Sequence, residues 1–88
     1  MPCYIITYDL RKPHRDYQSL YNAIKAYKTW AKITESTWAV VTTQSAAAVR
    51  DNLSSYIDND DRLCVIKSGV EAAWRNTIAN SEWLKKYL

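Results

Sequence analysis

Cys3-Tyr4-Ile5-Ile6-Thr7-Tyr8-Asp9 is a run of strand-forming residues that ends in a carboxylate, and the basic segment Leu10-Arg11-Lys12-Pro13-His14-Arg15 follows at once. β-Branched and aromatic side chains suit a pleated, packed surface, so the run reads as a strand with little polar alternation. Asp9 then has two readings. It either makes a turn, as Asp often does, or it is delivered to the surface beside the cations as part of a metal or phosphate site.

Working outward from that strand, Tyr17, Leu20, Tyr21, Ile24 and Tyr27 recur at helical spacing, with Asp16 placed as an N-cap. This predicts a helix over 17–27. Trp30-Ala31-Lys32-Ile33 and the segment 37–42 read as two strands around the turn Thr34-Glu35-Ser36. Ser45 is placed to cap a second helix whose inner face is Ala46, Val49, Leu53 and Tyr56 or Ile57. Asp58-Asn59-Asp60-Asp61 is a turn that lacks the glycine and terminal glutamate of a calcium loop. Leu63-Cys64-Val65-Ile66 is the fourth strand.

Strand, helix, strand, strand, helix, strand defines an α+β chain of the ferredoxin-like βαββαβ type. Right-handed crossovers order its antiparallel strands fourth, first, third, second, with both helices on one face. The strand ending at Asp9 is central, and its end lies beside Ser36 and Thr37. The first, third and fourth strands are apolar on both faces, so the face opposite the helices needs a cover. Either a second copy of the chain or the C-terminal tail can supply it.

Residues 1–68 form the expected core and 69–88 a helical tail that packs on the core or on a dimer partner. In the tail, Val70, Ala73, Trp74 and Ile78 fit one helix. Asn80-Ser81 breaks it, and Trp83, Leu84, Tyr87 and Leu88 fit a second. Trp74, Trp83 and Tyr87 read as packing residues, because exposed apolar patches are generally avoided.

With 88 residues, 48% of them hydrophobic, and one Gly and two Pro, the chain has the make-up of one compact domain. Its formal charge is only +3, but residues 1–32 carry six Lys and Arg against Asp9 and Asp16. A local basic patch of that kind favours a phosphate-bearing partner. Cys3 and Cys64 fall in apolar strands without metal-ligand spacing and read as buried, reduced thiols of a cytoplasmic protein. No stretch has the length and apolarity of a membrane span or a signal peptide.

The opening CYIITYDL, the loop and helix behind it, and the hairpin segment Glu35-Ser36-Thr37-Trp38-Ala39-Val40 resemble the superfamily of the small CRISPR-associated adaptation nuclease and the virulence-associated protein D toxins. The nearest likeness is to small bacterial and phage proteins labelled the SinR family. The resemblance covers residues 3–68. It implies a homodimer that binds RNA or DNA, in which Asp9 faces its symmetry mate and holds a divalent metal, Mg²⁺ or Mn²⁺. Ser36 matches the serine beside that aspartate, and Arg11, Lys12 and Arg15 occupy the loop that would meet phosphates. The helical, Trp-bearing tail departs from relatives that exchange a further strand between subunits.

Chemically, two carboxylates across a two-fold axis suit a divalent ion, which would polarise the phosphoryl group and activate a water. With His14 as the sole histidine, a paired-histidine ribonuclease mechanism within one chain is excluded. His14 itself is either a general acid–base on the basic loop or a surface residue. The expected function is thus a metal-dependent endonuclease with Asp9, His14 and Ser36 as catalytic candidates. The alternative is a non-cleaving dimeric scaffold that clamps nucleic acid or joins a larger protein complex.

Overall fold

The computed structural model describes residues 1–12, 16–69 and 71–88. His14 and Arg15, named above as site residues, and Val70, named as a helix residue, lie outside the described residues. The elements in chain order are β1 (Cys3–Asp9), α1 (Gln18–Lys25), β2 (Thr29–Thr34), β3 (Thr37–Val41), α2 (Ala46–Ser54), β4 (Arg62–Lys67) and α3 (Ser81–Tyr87). The four strands form one antiparallel sheet in the order β2-β3-β1-β4. The fold is therefore α+β, with the βαββαβ order followed by a third helix.

Period-two alternation decides what each side of β1 meets. Tyr4, Ile6 and Tyr8 point to the helices and join Trp38 and Val40 of β3, Leu20 and Ile24 of α1, and Val49 and Leu53 of α2 in the main core. Cys3 and Ile5 point the other way and meet Ala39, Val41 and Ile33. Covering that second layer are Trp83, Tyr87 and Leu88 of the same chain, and Leu84 beside them is fully buried.

The helix caps follow local chemistry. Ser45 Oγ accepts the Ala48 N–H at 3.1 Å at the start of α2, and Asn80 Oδ1 accepts the Trp83 N–H at 2.8 Å at the start of α3. Asp16 takes the Gln18 N–H at 2.9 Å, one position earlier than an N-cap, so α1 begins at Gln18.

Two expectations are corrected. Residues 71–80 are not helical: Asn76 sits at φ 55 in the left-handed region, and the Ile78 N–H is spent on the Ile33 carbonyl of β2 at 2.8 Å. A backbone amide committed to a sheet edge cannot close a helical turn. Cys64 is exposed, not buried, because it shares the second face of β4 with Arg62 and Ile66, all three of them exposed. Among the described residues no helix is long and apolar enough to cross a membrane.

Candidate functional site

Asp9 closes β1 opposite Arg62 of β4, at the open end of the second face. Its Oδ2 accepts from Arg62 Nη1 at 3.0 Å and from Arg11 Nη1 at 3.3 Å. All three side chains are roughly half exposed or more, so each pair adds only about 0.2–1 kcal/mol. A shallow depression of about 220 Å³ lies here, lined by Thr7, Tyr8, Asp9, Arg62, Leu63 and Cys64. Ser36 is brought to the same end: its carbonyl accepts the Tyr8 N–H at 3.1 Å, one residue from Asp9. No hydrogen bond joins the Ser36 and Asp9 side chains among the described residues.

Lys12 points elsewhere, pairing with Asp60 at 3.1 Å. The α2–β4 turn proves to be an organising feature of this end of the molecule. Asp61 accepts the Arg11 N–H at 2.7 Å and the Asp58 N–H at 2.8 Å, and takes the Tyr17 hydroxyl on both oxygens at 3.0 and 2.9 Å. Burial, then the Asp61 hydrogen bond and charge, push the Tyr17 phenol above its ordinary range. The Arg11 backbone and the Lys12 side chain are thus tied to the acidic turn.

Within one chain, Asp9 is the single carboxylate of this cluster among the described residues. Arg11 and Arg62 both bond to its Oδ2. Among the described residues no three His, Cys, Asp or Glu side chains come together as a metal-holding group. What the cluster offers instead is a pair of exposed guanidinium groups able to exchange Asp9 for a phosphate oxygen.

A second locus carries two lysines without carboxylate partners among the described residues, Lys25 and Lys28. Residues 25–32 read Lys-Ala-Tyr-Lys-Thr-Trp-Ala-Lys and run from the end of α1 into the edge strand β2. Trp30 remains 38% exposed because β2 has no strand beyond it. Lys25 Nζ stands 5.6 Å from the Trp30 ring centre, and Lys32 Nζ 5.5 Å from that of Trp38. Among the described residues Lys25 and Lys28 have no acidic partner, while Lys32 pairs with the exposed Glu35 at 3.5 Å.

The Trp30 ring is set by a row of aromatics running into the core. Trp30 lies 5.6 Å from Trp38, which stacks on Tyr21 at 6.1 Å, and Tyr21 lies 6.4 Å from Tyr8. Trp38 Nε1 donates to the Tyr8 hydroxyl at 2.9 Å, which in turn donates to the Glu35 carbonyl at 3.3 Å. Burial raises the Tyr8 phenol above its ordinary range, so it stays a neutral donor. Beside Trp30, a groove of about 280 Å³ is lined by Lys32, Ile78, Asn80 and Trp83. The signal for this patch was in the sequence, as lysines interleaved with aromatics, but the charge excess of residues 1–32 pointed first to the loop after Asp9.

Comparison of the chain with family models, with curated proteins and with solved structures gave no match. The functional reading therefore rests on the residues themselves.

Proposed function

We propose that this chain binds single-stranded nucleic acid, RNA or DNA, without strong sequence preference. The observation that carries the reading is Trp30, an exposed ring on a sheet edge with Lys25 over it and Lys28 and Lys32 two residues to either side in the chain, and no acidic partner for Lys25 or Lys28 among the described residues. Every base has a π-face, so an exposed indole offers sequence-tolerant stacking, and the ammonium groups neutralise flanking phosphates. The Arg11 and Arg62 guanidinium groups form a second phosphate contact once Asp9 releases them.

Affinity for labelled single-stranded oligonucleotides tests this. Trp30→Ala is expected to weaken binding by about 1–3 kcal/mol, roughly 5- to 150-fold. Lys25→Ala with Lys28→Ala should flatten the salt dependence by a slope of about 0.7 for each phosphate that is no longer neutralised. Wild-type protein with no affinity even at low salt would reject the reading.

The endonuclease reading is favoured by one observation, the exposed position of Asp9 at the end of the central strand beside two guanidinium groups. That reading belongs with the likeness to the CRISPR-associated nuclease superfamily and with a homodimer that supplies a second carboxylate. Incubating substrate with Mg²⁺, Mn²⁺ or EDTA beside Asp9→Asn separates the two readings. Binding without metal-dependent cleavage is the result expected here.

A further inference from the structure

The hydrogen-bond phase of the sheet leaves main-chain groups open beside Trp30. Two bonds between β1 and β3 and their flanks fix that phase. The Tyr8 N–H donates to the Ser36 carbonyl and the Thr42 N–H to the Pro2 carbonyl, both at 3.1 Å. Antiparallel pairs alternate, so Trp38 and Val40 bond to β1, while Val41 and Ala39 bond to β2 through Thr29 and Ala31. Trp30 lies between those last two pairs on an edge strand, and its N–H and C=O therefore point away from the sheet.

These groups open on the groove of about 280 Å³ at the edge of β2. The tail forms its far side, because the Ile78 N–H bonds to the Ile33 carbonyl on the same outer edge at 2.8 Å. Trp83 and Ile78, which is 56% exposed, supply apolar walls. Lys32 is the one charged side chain in the lining, and no carboxylate is part of it. A volume at the foot of the range for small-ligand clefts takes one flat ring and excludes a helix.

The outward N–H and C=O of one residue set a donor beside an acceptor. Each nucleobase carries the complementary pair on its Watson–Crick edge: adenine N1 with its 6-amino group, cytosine N3 with its 4-amino group, guanine O6 with N1–H, and thymine or uracil O4 with N3–H. Pairing in a duplex consumes that edge, so only an unpaired base can offer it.

We propose that this groove holds one unpaired base of the bound strand by its Watson–Crick edge, hydrogen-bonded to the Trp30 main chain. The inference rests on the nucleic-acid reading above and adds to it the reason a single strand is chosen over a duplex. Base identity matters little, because every base offers the same acceptor beside a donor. Trp30 then contributes twice: its indole stacks one base, and its main chain takes the edge of the neighbouring one. Lys32 meets the phosphate between them.

Oligothymidine and its N3-methyl counterpart test this on the full chain. The methyl group removes the N3–H donor and blocks the edge, yet leaves the ring face free to stack. It is expected to weaken binding roughly 5- to 150-fold, the worth of two ordinary hydrogen bonds. Oligothymidine should also slow exchange of the Trp30 backbone amide, and the methylated strand should not. Trp30→Ala keeps the main chain, so it should bind both strands more weakly and preserve the ratio between them. Equal affinity of the wild-type chain for the two strands overturns the edge contact and leaves the stacking reading intact. So does a Trp30 amide that oligothymidine leaves unprotected, or a ratio that vanishes in Trp30→Ala. Binding of neither strand rejects both the edge contact and the reading beneath it.

Discussion

Asp61 is the residue on which the Asp9 end of the sheet depends. Its two oxygens tie the loop after β1, the start of α1 and the turn before β4 through Arg11, Tyr17 and Asp58. Asp61→Ala leaves two backbone donors and a buried hydroxyl without these bonds, an expected loss of about 1–3 kcal/mol in urea unfolding. Asp9→Asn breaks only exposed pairs and should change stability by less than about 1 kcal/mol. Alkaline pH probes the same layer. Burial raises the Cys3 thiol and the Tyr8 and Tyr17 phenols, so the folded chain holds these protons to higher pH than the unfolded chain. The stability this brings is whole below the ordinary thiol and phenol values, about 8.5 and 10, and is lost as pH rises through them toward the raised folded values. Urea midpoints should fall across that window, and less steeply in Tyr17→Phe.

At the scale of elements, the helix α3 is what makes a two-faced sheet tolerable. Leu84 is fully buried in it, and Trp83, Tyr87 and Leu88 lie over Cys3, Ala39 and Val41. Leu84→Ala is expected to cost about 2–5 kcal/mol in unfolding free energy, whereas truncating exposed Ile78 should be nearly neutral. The strands, their order and the cap at Ser45 were legible because period-two and period-3.6 patterns and cap chemistry are local. Residues 71–80 were not, because Ala73, Trp74 and Ile78 keep helical spacing while a long-range bond from Ile78 to Ile33 holds the backbone out of a helix. The exposure of Cys64 was hidden for a similar reason: an apolar strand reads the same whether its second face is covered or open. Asp9 was readable as a strand-end carboxylate. Its arginine partner across β4 was not, since Arg62 lies 53 residues away in sequence.

Viewed whole, two described groups of cations differ in whether they face carboxylates. Arg11, Lys12 and Arg62 face Asp9 or Asp60, while Lys25 and Lys28 lie near an exposed Trp30 in the chain without acidic partners among the described residues. That contrast moves the predicted ligand contact from the loop after β1 to the edge of β2, some distance along the sheet. The most direct measurement is a titration of the protein with a single-stranded oligonucleotide, followed by the four tryptophan indole signals and the backbone amides in solution NMR. The account predicts that the Trp30 indole and the amides of Lys25, Lys28 and Lys32 shift first and furthest, with buried Trp38 following weakly. Shifts confined to Asp9, Arg11 and Arg62 with Trp30 unmoved, or no shifts at all, would contradict it.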